Sequence, residues 1–139
     1  MGDMQYIQFE INNDKYAINI SNVREIVEVE NITKIPGRKK HVEGITKVRD
    51  EIITVINLRN LMGYESTEKR NNRMLVLENS KNQKTGFIVD NTDQIIRVTE
   101  ENIERNLEIL ENNGIEISNI LKIEEDIILE LNLNKFIEV

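Results

Sequence analysis

Glu124, Glu125 and Asp126 are three consecutive carboxylates, the tightest acidic cluster in the chain. Paired carboxylates can act as general acid and general base. Their setting argues against it, because they fall between two apolar runs, where a hairpin turn leaves charge in water. Asp90 closes the run Phe87-Ile88-Val89, and an Asx-turn at a strand end accounts for it better than catalysis does. His41 is the one histidine and cysteine is absent. Two-histidine constellations, zinc–thiolate sites, disulfides and cysteine nucleophiles are therefore excluded. No phosphate-cradling glycine loop, HExxH or GxSxG occurs. These residues point away from an enzyme, and no cofactor or metal is expected.

Charge narrows the partners. The net charge is −7. Residues 1–70 carry 11 basic and 11 acidic side chains, whereas residues 71–139 carry 7 and 14. Nucleic-acid binding needs a basic surface and is disfavoured. Arg38-Lys39-Lys40 is the one basic run, and beside Pro36-Gly37 it reads as a solvated loop. No apolar run is long enough to span a membrane and no signal-peptide pattern opens the chain. A soluble, cytoplasmic protein without membrane insertion is expected.

The elements that would position any site are mostly strands. Tyr6–Ile11 alternates and ends in the turn Asn12-Asn13-Asp14, followed by the short strand Tyr16–Ile20. Ser21 is placed to cap a helical turn through Val23. Glu25–Val29 reads as strand. Val42–Val48 and Ile52–Leu58 form a predicted hairpin around Arg49-Asp50-Glu51. Its second arm is almost continuously apolar, which predicts burial on both faces. Arg59–Met62 is a predicted short helix stopped by Gly63. Met74–Leu77 and Thr85–Val89 are predicted strands about the turn 79–82. The polar segment 99–114 reads as helix-prone, ended by Gly114, with Glu100-Glu101-Asn102-Ile103-Glu104 as a solvated helical turn.

Residues 42–61 repeat without a gap at 117–136. Identical pairs are Ile45/Ile120, Lys47/Lys122, Ile52/Ile127, Ile53/Ile128, Asn57/Asn132 and Leu58/Leu133. Ile26-Val27-Glu28-Val29 matches Ile95-Ile96-Arg97-Val98 at an offset of 69, against 75 for the later block. The second copy thus holds six extra residues, which fall within 99–114. A chain of 139 residues with this pattern implies one body of two similar halves, each with about five short strands, as small barrels or a sandwich.

Four blocks in order resemble the CheW-like domains of bacterial chemotaxis, over about residues 5–137. They are Val23-Arg24-Glu25-Ile26-Val27; Ile35-Pro36-Gly37 with Val42-Glu43-Gly44-Ile45; Val48–Arg59; and Phe87-Ile88-Val89-Asp90 with Ile95-Ile96. Departures from the family pattern are Asp50 and Asn119 for glycine, Thr54 for proline, and Asn57 and Asn132 for aspartate. The resemblance implies an all-β fold with short helices, two packed SH3-like five-stranded β-barrels forming a single domain over 1–139. It implies a non-catalytic adaptor that couples the cytoplasmic tip of a chemoreceptor to the regulatory domain of a CheA-type histidine kinase. On the same resemblance, the kinase contact lies around a turn at Gly44, with Val42, Gly44 and Arg49 the expected kinase-binding residues. The receptor lies in the groove between the barrels, with Val23 and Glu25 expected to bind it. Glu25 and Arg49 are expected to approach each other as an acidic–basic pair. The alternatives are a regulatory or coupling fragment of a longer CheA- or CheV-like protein, and a small β-barrel enzyme or ligand carrier. A pocket of convergent polar groups would favour the carrier.

Overall fold

The computed structural model describes residues 4–64, 73–112 and 114–137, with the side chains of all of these except 93 and 106–112. Among the described residues, eleven strands form two antiparallel-rich sheets. In chain order they are β1 (Met4–Ile11), β2 (Asp14–Asn19), β3 (Val23–Glu28), β4 (Val42–Val48), β5 (Glu51–Asn57), β6 (Arg73–Glu78), β7 (Lys84–Ile88), β8 (Asn91–Val98), β9 (Ile103–Asn112), β10 (Ile115–Ile123) and β11 (Asp126–Asn132). One short helix, α1 (Leu58–Leu61), follows β5.

The first lobe is the five-stranded sheet β3-β6-β7-β5-β4, and the second is the six-stranded sheet β8-β1-β2-β11-β10-β9. The repeat is visible in both. Hairpins β4–β5 and β10–β11 correspond, and each carries a register slip at the same place, between Val42 and Gly44 and between Ile117 and Asn119. A bulge adds twist and bends its strand, which helps curl each sheet into a barrel. β5 runs parallel to β7, and β11 runs parallel to β2. So the N-terminal hairpin β1–β2 plays in the second lobe the part that β6–β7 plays in the first. The second lobe is therefore discontinuous in sequence, although the repeat by itself suggests two consecutive halves.

Each lobe closes by bringing the chain beyond its edge strand onto the opposite edge. In the first lobe this is one bridge, Thr33 with Ile45, with N–H···O distances of 2.8 and 2.9 Å. In the second it is the full strand β9, whose Glu104 faces Ile120, the repeat partner of Ile45. The helix-prone reading of 99–114 is corrected here. Only Glu100–Asn102 make a 3₁₀ turn, and 103–112 extend because β10 offers a free edge to pair with. Gly114 (φ +82) makes the turn between β9 and β10. Asn19, not Ser21, caps the turn Ile20–Asn22, its Oδ1 accepting from the Ser21 N–H at 2.9 Å.

Three apolar clusters follow from strand alternation. Ile53, Val55, Met74 and Val76 fill the first barrel, and Tyr6, Ile96, Val98, Leu121 and Ile128 fill the second. The opposite faces meet between the lobes. Leu75, Phe87 and Ile56 lie there in one row, with Ile7, Ile18 and Leu131 as their counterparts from the second sheet. This shared core also takes in Leu58, Leu61 and Met62 of the α1 segment and Leu133 and Ile137 of the C-terminal turn.

Candidate functional site

The β4–β5 hairpin contributes a charged surface to the first lobe. Val48 faces Glu51 across a two-residue turn in which Arg49 (φ 48) and Asp50 (φ 71) are both left-handed. That is a type I′ turn, whose twist matches its flanking strands. Asp at the second position tolerates a conformation that glycine adopts without strain. The turn projects Arg49 toward β3, where its Nε donates to Glu25 Oε2 at 2.8 Å, with Arg49 81% exposed and Glu25 21%. The expected pairing of these two residues is present.

Beside them Lys84 on β7 donates to Glu51 at 2.6 Å and lies 3.6 Å from Glu78. The hydrogen bond to Glu51 holds the Lys84 ammonium above the ordinary lysine range, against its partial desolvation. Together with Arg24, Val48, Ile53 and Val76 these groups frame a cavity of about 230 Å³ at the mouth of the first barrel. Its walls alternate in charge, with Arg49 paired to Glu25 and Lys84 to Glu51.

The other sequence-predicted residues are spread out. Val23 opens β3, half-buried, packed on the shared core and paired with Leu77. It lines a separate, polar groove of about 410 Å³ with Ser21, Asn22, Arg24, Glu78, Asn79 and Ser80. A register slip between Val23 and Glu25 sends the two side chains to different faces. Val42 lies at the far end of β4 from Arg49, opposite Ile56. Six residues of strand put them about 20 Å apart. Gly44 is buried inside β4 and is not in a turn. Its φ is +150, and a Cβ there would meet the Thr33 carbonyl oxygen at 2.1 Å.

Of the groups that first suggested chemistry, Glu124 and Glu125 are exposed at the β10–β11 turn, and Asp126, Asp90 and His41 have structural partners. Asp126 pairs with Lys15 at 2.8 Å across β11 and β2. Asp90 does not make the expected local Asx-turn. Its carboxylate accepts from the Asn12 backbone N–H at 2.7 Å and from Arg59 at 2.5 Å. His41 stands edge-on to Phe136, ring centroids 6.4 Å apart, and burial followed by the nearby Lys39 lowers its pKa. Among the described residues no group of three or more His, Asp or Glu could hold a metal ion. No helix among them is long and apolar enough to cross a membrane.

Sequence reasoning missed Ile52. The continuous apolar run predicted burial on both faces of β5, yet Ile52, opposite Lys47, is 70% exposed, and its repeat partner Ile127 is 64% exposed. Both lie at strand ends beyond the reach of the shared core. Identity between the copies at this pair was the available signal, since a position kept apolar in both copies without a core to fill is open to a partner.

The CheW-like domain model matches residues 5–139. The chemotaxis protein CheW of Thermotoga maritima is 26% identical over 136 residues, covering 98% of this chain and 89% of that protein. The chemotaxis protein CheW of Treponema pallidum is 32% identical over 116 residues, covering 81% of this chain and 68% of that protein. The crystal structure of the scaffolding protein CheW from Thermoanaerobacter tengcongensis superposes with a TM-score of 0.86 at 28% identity, covering 100% of this chain and 94% of that one.

Proposed function

The chain belongs to the CheW-like domain family, and from that premise we propose that it is a chemotaxis scaffold coupling a CheA-type histidine kinase to chemoreceptors. The observation that carries the reading is the match to that family over nearly the whole chain, with the CheW structure superposing throughout. The two-lobed form supports it physically. Two barrels joined by an apolar core present separate surfaces, which a bridging protein needs and a single-site enzyme does not. The adaptor acts without catalysis, in the cytoplasm, at membrane-associated receptor arrays.

The kinase regulatory domain docks on the first barrel, around Val42, Gly44 and the Arg49 turn. Exposed Ile52, near the tip of the β4–β5 hairpin, supplies an apolar anchor and the Arg49–Glu25 pair a polar rim, the usual division of labour in a protein interface. The receptor tip, an amphipathic helical hairpin, lies in the groove lined by Val23, with Glu25 at its margin. Gly44 contributes by letting Thr33 approach and close the barrel, so its role at the interface is to shape the surface.

The test is kinase autophosphorylation in receptor-containing membranes, with and without the protein. Kinase activity is expected to depend on it. Arg49→Glu and Ile52→Asp are expected to weaken kinase binding, and Val23→Asp receptor binding, with circular dichroism checking that each variant folds. A folded protein that binds neither partner and leaves kinase activity unchanged refutes the adaptor reading.

A further inference from the structure

One polar cluster joins the two lobes and has no counterpart in the repeat. Arg59 on α1 belongs to the first lobe, and its side chain is 15% exposed. It donates through Nη1 to Asp90, which stands where the chain leaves β7 for β8, and through Nη2 to Asn12 Oδ1 at 3.1 Å. Asn12 sits in the β1–β2 turn of the second lobe, and its backbone N–H donates to the same Asp90 carboxylate. Tyr64, just after α1, lies 5.9 Å beneath the Arg59 guanidinium, and its hydroxyl reaches Asp14 at 3.3 Å and the Tyr16 hydroxyl at 3.4 Å. At the position matching Arg59 the second copy has Asn134, which lies in a 3₁₀ turn.

We propose that Arg59 is a positioning residue: with Asp90 and Asn12 it forms a clamp that fixes the angle between the two lobes, and hence between their docking surfaces. The physical case rests on direction. The shared core holds the lobes together, but apolar contact is non-directional and tolerates small rotations. The arginine fork meets its acceptors in a fixed plane. It grips the turn of the N-terminal hairpin from a helix rooted in the other lobe. Asp90 stands at the crossing between sheets, where a small change in backbone direction is carried along all of β8. The geometric part of the proposal stands alone. Its consequence for docking rests on the scaffold reading.

The chain contains no cysteine, so Lys47→Cys and Lys122→Cys place one spin label on each lobe at exposed, repeat-related sites. Double electron–electron resonance is expected to give one narrow distance distribution in the otherwise unaltered chain. Arg59→Ala is expected to broaden and shift it, and Asp90→Asn to do so less. Asn12→Gly keeps the turn and the backbone donor while removing the Oδ1 acceptor, and is expected to have the smallest effect. A distribution for folded Arg59→Ala that superimposes on that of the unaltered clamp overturns the proposal. If Arg59→Ala does not fold, unchanged distributions in both Asp90→Asn and Asn12→Gly overturn it instead. The docking consequence is read with a kinase regulatory domain and a receptor-tip fragment. Arg59→Ala should keep each binary affinity within about threefold and lose at least tenfold in ternary assembly. Failure of binary binding in the unaltered chain rejects the scaffold reading, whereas unaltered ternary assembly in Arg59→Ala rejects the docking role of the clamp.

Discussion

The two lobes share a backbone plan but fill one equivalent row of their barrels with opposite chemistry. In the first lobe the row across the sheet is Val76, Gly86, Val55 and Gly44. In the second it is Gln8, Ala17, Glu130 and Asn119. Tyr6 stands at the position of Met74, close enough for the Glu130 carboxylate to raise its pKa, while Asn119 Nδ2 donates to Glu130 at 3.0 Å. Neighbouring sizes adjust together. Gly86 is bare where the Met74 side chain lies across it, a Cβ there meeting the Met74 sulfur at 2.2 Å, whereas Ala17 has a methyl beside Tyr6. The comparison teaches that the fold is set by strand order, bulge position and the apolar faces between lobes. The barrel interiors can be dry or polar, provided that every buried polar group is satisfied.

The largest expected effect breaks the first lobe at its closing contact. Gly44→Ala should cost about 2–6 kcal/mol, adding overpacking against the Thr33 carbonyl to positive-φ strain. Asn119→Gly, the matching change in the second lobe, should cost only about 1–3 kcal/mol, since it merely removes one donor from Glu130. Urea denaturation of both variants checks the contrast, and equal losses would mean that the lobes close in the same way. Making the second interior resemble the first comes next. Glu130→Val leaves the Asn119 amide without its acceptor and should cost about 1–3 kcal/mol. The triple change Glu130→Val, Asn119→Gly and Tyr6→Met should recover most of that loss, because a dry interior of matched size is as good as a satisfied polar one. Thermal melts that show no recovery would assign the polar row a further role.

A pH series sharpens the contrast. Burial, reinforced by Glu130, pushes the Tyr6 pKa up from 10.0 to about 12. The folded state therefore holds the phenolic proton more tightly than the unfolded one. The contribution is fully present below pH 10 and is lost as pH rises toward about 12. Tyr6→Phe should flatten the stability profile across that window and lower stability by about 1 kcal/mol at neutral pH, through one lost hydrogen bond. Tyr16, whose pKa is raised by burial and then by Tyr64, remains in both proteins and cancels in the difference. The smallest effect on stability belongs to the first-lobe surface pair. Arg49→Ala should change it by about 0–1 kcal/mol, while kinase binding measured by calorimetry falls clearly. A stability loss beyond that range would make the pair structural.

Much of this was legible in the chain. The repeat at 42–61 and 117–136 located equivalent hairpins, and the offset of 69 located equivalent edge strands, because period and turn chemistry are local properties. Arg49 meeting Glu25 was legible through family resemblance alone. The strand β9 was not, since its irregular mix of Ile and Leu with Glu, Asn and Arg shows no strand alternation until β10 offers a partner. The assignment of β1–β2 to the second lobe was also hidden. Alternation says that a hairpin exists, and only long-range pairing says which sheet takes it. Gly44 read as a turn glycine because nothing nearby in sequence shows that Thr33 will press against it. Asp90 read as a local cap because its partners, Asn12 and Arg59, are 78 and 31 residues away.

The discontinuity of the second lobe reaches into how the protein is made. During synthesis β1–β2 emerges first but has no sheet to join until β8, β10 and β11 leave the ribosome. The first lobe, contiguous from Val23 to Ile88, is complete long before that. The N-terminal hairpin, with Phe9, Ile11 and Ile18 on the face that later meets the other lobe, must wait against the finished first barrel or be shielded by a chaperone. No single cut in the gene can then release the second lobe as an independent module. A library of split versions should find working breakpoints only where both fragments still bring β1–β2 and β11 together.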